Sequence, residues 1–142
     1  MIRKMRKSDL KEIVEIEQRC FKNPWNMKQY EYELYDNPYS NLWVLEEDGR
    51  IIVFYDLWIM FDNADIANIA VDTPYQKKGY GRQLMNHLEN QAVNKGCENI
   101  GLEVRVSNEA AIKLYERHGF SIINTRVNYY KDEDGYRMMK GI

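Results

Sequence analysis

Cysteine, histidine and proline are all scarce in this chain: two, two and three among 142 residues. Cys20 and Cys97 stand far apart, so no disulfide framework is available, and both read as reduced thiols in a cytosolic (cytoplasmic) setting. His87 and His118 share no ligand-like spacing with either cysteine or with each other. No metal site is expected, and each histidine reads as a helix-surface or capping residue. Long apolar runs are missing too. The most apolar stretch, Ile51 to Phe61, is short and contains Asp56, whereas a membrane span needs roughly 20 apolar residues. Met1 to Val14 alternates charged and apolar residues, unlike a signal peptide. No membrane association is expected.

A strong charge of either sign is absent as well. The net charge is −2 and the pI about 5.8. A dedicated nucleic-acid binder shows a basic excess, and the 11 tyrosines are scattered rather than interleaved with a basic stripe. Nucleic acid is therefore not an expected partner. What is present is ordinary globular composition, 44% hydrophobic and 30% charged, enough for a core without staples. Without repeats, low-complexity tracts or a flexible linker, residues 1–142 read as one domain.

The pattern of apolar residues and breakers orders the elements. Ile2 to Met5 reads as a short strand. Ser8 and Asp9 offer a cap, with Glu12 as a box-like partner, for a helix carrying Leu10, Ile13, Val14, Ile16 and Cys20. Asn23-Pro24 breaks it, Asn26 caps a second helix over Met27 to Tyr35, and Asn37-Pro38 ends that one. Leu42 to Glu46 and Arg50 to Met60 flank Asp48-Gly49, a hairpin signal. Asp65 to Val71 is a strand, followed by a loop to Gly81 and a helix that Gly96 terminates. Asn99 to Val106 is the next strand. Ser107 or Asn108 caps a helix ending at His118-Gly119. Phe120 to Tyr130 and Tyr136 to Ile142 close the chain, joined by a polar turn from Lys131 to Gly135. Strand-helix-strand units in the middle call for parallel pairing and the hairpins for antiparallel pairing. The expected fold class is α/β: a mixed, twisted sheet of about seven strands with helices on both faces.

The segment from Asn68 to Arg82 is the most informative. A strand ends, a loop turns, and a helix begins at Gln76-x-x-Gly79-x-Gly81. Glycine permits positive φ and close approach of a ligand. A helix N-terminus with free N–H groups favours phosphate, and Lys77, Lys78 and Arg82 add charge. The loop lacks the Gly-Lys-Ser/Thr ending of a nucleotidase P-loop and the third glycine of a dinucleotide fingerprint, so ATP and NAD fit poorly.

This loop resembles the pyrophosphate loop of the GNAT superfamily of N-acetyltransferases. Further matches are Asn68-Ile69-Ala70-Val71, Leu102-Glu103-Val104-Arg105-x-Ser107-Asn108, Ala111-Ile112-x-Leu114-Tyr115-x-x-x-Gly119-Phe120, Asn128-Tyr129-Tyr130 and Pro24-Trp25. They are similar to the branch that acetylates the N-terminal alanine of a ribosomal protein. The resemblance covers nearly the whole chain and implies the GNAT fold with acetyl-CoA as co-substrate. It places Ile69, Ala70 and Val71 along the pantetheine. Gln76, Lys77, Lys78, Gly79, Tyr80, Gly81 and Arg82 fall at the pyrophosphate, and Asn108 at CoA as well. It makes Glu103 the proton acceptor and Tyr115 the proton donor. Pro24, Trp25, Tyr129 and Tyr130 are peptide-site candidates. Asn26, Val53 and Tyr136 depart from the family pattern, outside the acid, base and phosphate loop.

Periodicity alone reads Glu103 as a solvent-facing residue paired with a neighbour, and Tyr115 as a core aromatic. The chemistry gives both a use. Amide formation from an ammonium needs a proton removed, and a thiolate leaving group gains from a donor. An α-amine titrates near 7.7–8.0 and a lysine near 10.4, so one carboxylate suits an N-terminal amine better. Neither cysteine falls in these motifs, which favours direct transfer over an acyl-enzyme. Two other readings stay open at this level: an acetyltransferase for a small amine or lysine side chain, and a non-catalytic acyl-CoA-binding module.

Overall fold

Asp48 and Gly49 both take positive φ, 51° and 75°, as a two-residue hairpin turn requires. They join β2 (Ser40–Glu47) to β3 (Arg50–Met60). The computed structural model describes all 142 residues. The remaining strands are β1 (Ile2–Lys4), β4 (Asn63–Val71), β5 (Asn99–Arg105), β6 (Ser121–Tyr130) and β7 (Glu133–Gly141). The helices are α1 (Leu10–Cys20), α2 (Met27–Tyr35), α3 (Tyr80–Asn94) and α4 (Glu109–Arg117), with 3₁₀ turns at Lys7–Asp9 and Thr73–Tyr75. One seven-stranded sheet runs in the order β1-β2-β3-β4-β5-β7-β6, and only β4 and β5 pair in parallel. The expected mixed α/β sheet and its element order are what the structure has.

Alternation along the strands sorts the core into two layers. Leu10, Ile13, Ile16 and Tyr30 from α1 and α2 pack on Val44, Ile51, Phe54 and Ala70. On the opposite face Leu84, Met85 and Leu88 of α3 and Tyr115 of α4 pack on Tyr55, Ile100, Leu102 and Val104. Burying both faces is what a mixed sheet with crossover helices demands.

Caps fix most helix ends where the sequence puts them. Asn26 and Gln29 form a reciprocal capping box at α2, Asn108 accepts from Ala111 N at α4, and Gly96 and Gly119 end α3 and α4 with φ of 81° and 91°. Three expectations need correction. Asp9 makes no side-chain cap to α1; its carboxylate instead forms a two-pronged pair with Arg3, and Glu12 accepts from Ile51 N. The last strand begins at Glu133 rather than Tyr136. Its polar start is not a turn, because Glu133 and Asp134 bond inward to Arg105, Ser107 and Asn128. His87 is not a surface residue: it meets the Tyr55 hydroxyl at 2.9 Å and lies edge-on to Trp43.

Candidate active site

Between β4 and β5 the sheet opens. Their pairing runs from Asn63–Asn99 to Ile66–Leu102 and stops. The cause lies on the other edge of β4: Asn68 pairs with Asp56 and Ile66 with Leu57, leaving Ala67 as a bulge. A bulge bends its strand and increases the twist, so Ala67 to Val71 turns away from Glu103 to Arg105. Asp72 N donates to Ile52 O on β3. By strand alternation the polar groups of Ile69 and Val71 then point to the open side. The Val71 carbonyl is capped there by the Gln76 side-chain amide at 3.0 Å and the Cys20 thiol at 3.2 Å.

The loop at the mouth of this opening carries the backbone that its glycines suggested. Gly79 sits before α3 with φ 88° and Lys77 has φ 63°. α3 has no acidic residue in its first turn and no side-chain cap, so its leading N–H groups have no partner from the helix. Lys77, Lys78 and Arg82 are exposed, and none is paired with a carboxylate. A Cβ on Gly81 would lie 3.6 Å from Val71 and 3.9 Å from Leu114. The loop, the end of β4 and α4 therefore meet at one point. Tyr80 turns outward, its hydroxyl donating to Glu47. The side chain of Asn108 is committed to its cap. Arg19 holds Asp72 through two hydrogen bonds and so ties α1 to the loop.

Glu103 and Tyr115 lie on opposite faces of the sheet. Tyr115 is buried beside Phe120, ring centroids 5.9 Å apart. Burial, and then the neighbouring Tyr130, push its phenol up to about 12. Glu103 lies on the α1/α2 face, its side chain 17% exposed. Its Oε1 accepts from Arg137 Nη1 at 2.8 Å. Its Oε2 forms an ion pair with Arg126 Nε at 3.1 Å, and that buried oxygen receives no hydrogen bond.

Beside Glu103 the β6–β7 pairing skips from Arg126–Gly135 to Tyr130–Glu133. The residues between are looped out, which leaves Tyr129 half exposed, edge-on to Tyr130 at 5.0 Å. Arg105 lies over the Tyr130 ring at 4.4 Å. Across from them Trp25 and exposed Pro24 belong to the α1–α2 connection. Trp25 packs on Tyr30 and lines an open cavity of about 520 Å³ with Tyr32, Glu33 and Trp58. Lys22 of the same connection reaches Asp132 of the β6–β7 turn at 2.5 Å, and Asp132 also takes Arg105.

The sequence reading missed several of these groups. Glu17 accepts from Trp25 N, the Tyr30 hydroxyl and Asn68, and burial raises its pKa. Cys20, assigned no place in the site, touches Val71; burial and then Asp72 and Glu17 keep its thiol protonated. Asp65, Arg126 and Arg137 surround Glu103. One signal for that cluster was present: Gly101, in the interior of a strand, marks a place where another group comes close.

The profile of the acetyltransferase (GNAT) family matches residues 10–120. The ribosomal protein bS18-alanine N-acetyltransferase of Escherichia coli K12 is 39% identical over 128 residues, 90% of this chain and 85% of that protein. The enzyme of the same description from Haemophilus ducreyi is 38% identical over 96% of this chain and 93% of its own length. The crystal structure of the E. coli ribosomal-protein-S18-alanine N-acetyltransferase superposes with a TM-score of 0.92 at 36% identity, covering 100% of this chain and 93% of that one.

Proposed function

This chain belongs to the acetyltransferase (GNAT) family and is an acetyl-CoA-dependent N-acetyltransferase; from that premise we propose that its acceptor is the N-terminal alanine of the small-subunit ribosomal protein bS18. The two relatives described above carry that substrate in their names, and both alignments run through nearly the whole chain. Residues 1–142 act as one catalytic domain, supported by a single sheet reaching from Ile2 to Gly141. We place it in the cytoplasm, where its acceptor is made. No helix is long and apolar enough to cross a membrane. Neither a metal nor nucleic acid has a role in this reading.

The carrying observation is the opening between β4 and β5, with a cationic helix start at its mouth and a carboxylate and a phenol on its two sides. Lys77, Lys78, Arg82 and the free N–H groups around Gly79, Tyr80 and Gly81 hold the diphosphate of acetyl-CoA. Gln76 braces the Val71 carbonyl. Ile69, Ala70 and Val71 line the pantetheine, and the strand's outward N–H groups are placed to bind the thioester oxygen. Asn108 fixes the start of α4 and borders CoA. Acetyl-CoA supplies the acetyl group as a thioester.

The Glu103 carboxylate takes the proton from the acceptor amine, directly or through water. An α-amine near pKa 7.7–8.0 is already partly neutral at pH 7, so a single carboxylate is enough. Tyr115 faces the departing sulfur. With its phenol near 12 and a thiol near 8.5, complete proton transfer would be uphill by about 5 kcal/mol. Tyr115 therefore stabilises the thiolate mainly as a hydrogen-bond donor. Pro24 and Trp25 on one side and Tyr129 and Tyr130 on the other flank the acceptor. Cys20 stays a thiol, consistent with direct transfer.

The test is a peptide panel assayed with acetyl-CoA. Peptides with the bS18 N-terminus should be acetylated on the α-amine, and Glu103→Gln should lower kcat at least about tenfold with acetyl-CoA affinity kept. Turnover of polyamines or lysine side chains, with every free N-terminus refused, would overturn the acceptor assignment; full activity of Glu103→Gln would overturn the role of the carboxylate.

A further inference from the structure

Gly101 and Glu103 alternate on β5, on the face turned towards α1 and α2, opposite Met139 and Arg137 of β7. A Cβ built on Gly101 would fall 2.3 Å from Arg137 Nη2, 2.6 Å from its Cζ and 2.8 Å from Asp65 Oδ1. The guanidinium thus lies flat on the strand in the space that any other residue would fill. It uses both ends there: Nη2 donates to Asp65 Oδ1 at 2.7 Å and Nη1 to Glu103 Oε1 at 2.8 Å. The Arg137 side chain is 18% exposed and that of Glu103 17%. Arg137 takes up Oε1, while buried Oε2 is ion-paired with Arg126 Nε at 3.1 Å without a hydrogen bond.

We propose that Arg137, seated on Gly101 and anchored by Asp65, is a positioning residue for Glu103, fixing the orientation of the carboxylate that takes the proton of the acceptor amine. This rests on the reading of Glu103 as proton acceptor given above. The arrangement occupies Oε1, so the carboxylate cannot rotate without breaking a charge-assisted hydrogen bond. The other charged and titratable groups facing Glu103 are Asp65 on β4 and Arg126, Tyr129 and Tyr130 on β6. Asp65 matters because it partly offsets the charge of Arg137 while fixing its place. Gly101 matters because its hydrogen is all that separates the guanidinium from the strand.

Four variants test this: Arg137→Met, Arg137→Lys, Asp65→Asn and Gly101→Ala, with Glu103→Gln as reference. Gly101 has an ordinary backbone conformation, and the atoms its Cβ would strike are side-chain ends. Gly101→Ala should therefore displace Arg137 without unfolding the strand or removing a charge. The readout is the split between kcat and KM. In Arg137→Met kcat should fall about tenfold with KM for acetyl-CoA unchanged. Arg137→Lys should recover part of the loss. Gly101→Ala and Asp65→Asn should lower kcat in the same way. If Arg137→Met and Gly101→Ala keep full kcat while Glu103→Gln is inactive, the positioning role is wrong and the acceptor reading stands. Full activity of Glu103→Gln instead removes the acceptor reading and the positioning role with it.

Discussion

Asp56 is fully buried in the middle of β3, and neither of its oxygens has a hydrogen-bond donor. Its neighbour is Glu33, which accepts from Asn37, Ser40 and the Trp58 indole. Two carboxylates are both acceptors, so the contact is favourable only if one keeps its proton. Burial, followed by the hydrogen bond and the charge of Glu33, raises Asp56 to about 9 from an ordinary 3.8. Burial acts on Glu33 as well, but its hydrogen bonds outweigh it and hold Glu33 low. Between pH 4 and 9 the folded chain therefore binds a proton at Asp56 that the unfolded chain has lost. Stability must fall as pH rises through that window, by up to about 1.4 kcal/mol per unit. Asp56→Asn removes this titration while keeping the shape, and its amide can donate to Glu33. The variant should gain on the wild type by about 1–3 kcal/mol between pH 6 and 8, or several degrees in melting temperature for a chain of this size. Urea unfolding of both proteins at pH 5, 6, 7 and 8 measures the difference, and all other titrations cancel. A difference that stays flat across that range would refute the claim that Asp56 folds as a neutral acid.

Two further outcomes concern the proposed site. Tyr115→Phe should lower kcat by about 10- to 100-fold, the worth of one hydrogen bond to a charged group; because the phenol oxygen bonds to no protein atom, its melting temperature should stay near the wild-type value, and an unchanged kcat would remove Tyr115 from the chemistry. Replacing Lys77 and Lys78 together by alanine should raise KM for acetyl-CoA about 3- to 30-fold, from about 0.3–1 kcal/mol per exposed charge, and should flatten the salt dependence of KM; the same KM at low and high salt in both proteins would show that the loop does not hold the diphosphate.

Local chemistry was legible in the sequence and long-range juxtaposition was not. Asp48-Gly49, Asn26 and Asn108 act within a few residues of themselves, and each does in the structure what its residue type dictates. Gly79 likewise takes the positive φ that its place before α3 suggested. Glu103 read from periodicity as an ion-pair partner, and it is one. Its partners could not be named, because they come from other strands: Arg126 from β6 and Arg137, 34 residues on, from β7. The parting of β4 from β5 was hidden for a different reason: the bulge falls at Ala67, a residue with no turn-forming tendency. His87 was misread because a lone polar residue on an apolar helix face carries no mark of the Tyr55 hydroxyl awaiting it. At Glu133 and Asp134, consecutive acids suggested solvent, while their actual ligands lie on β5 and β6.

The parting of those two strands has a consequence for the order of events under the proposed reading. Glu103 and Tyr115 reach it from opposite sides of a sheet that is otherwise closed to passage. The nucleotide thioester and the protein chain therefore need never share a doorway. Each can arrive or depart while the other stays, so the architecture dictates no sequence of binding, and a bulky, slowly dissociating acceptor would not trap spent CoA behind it.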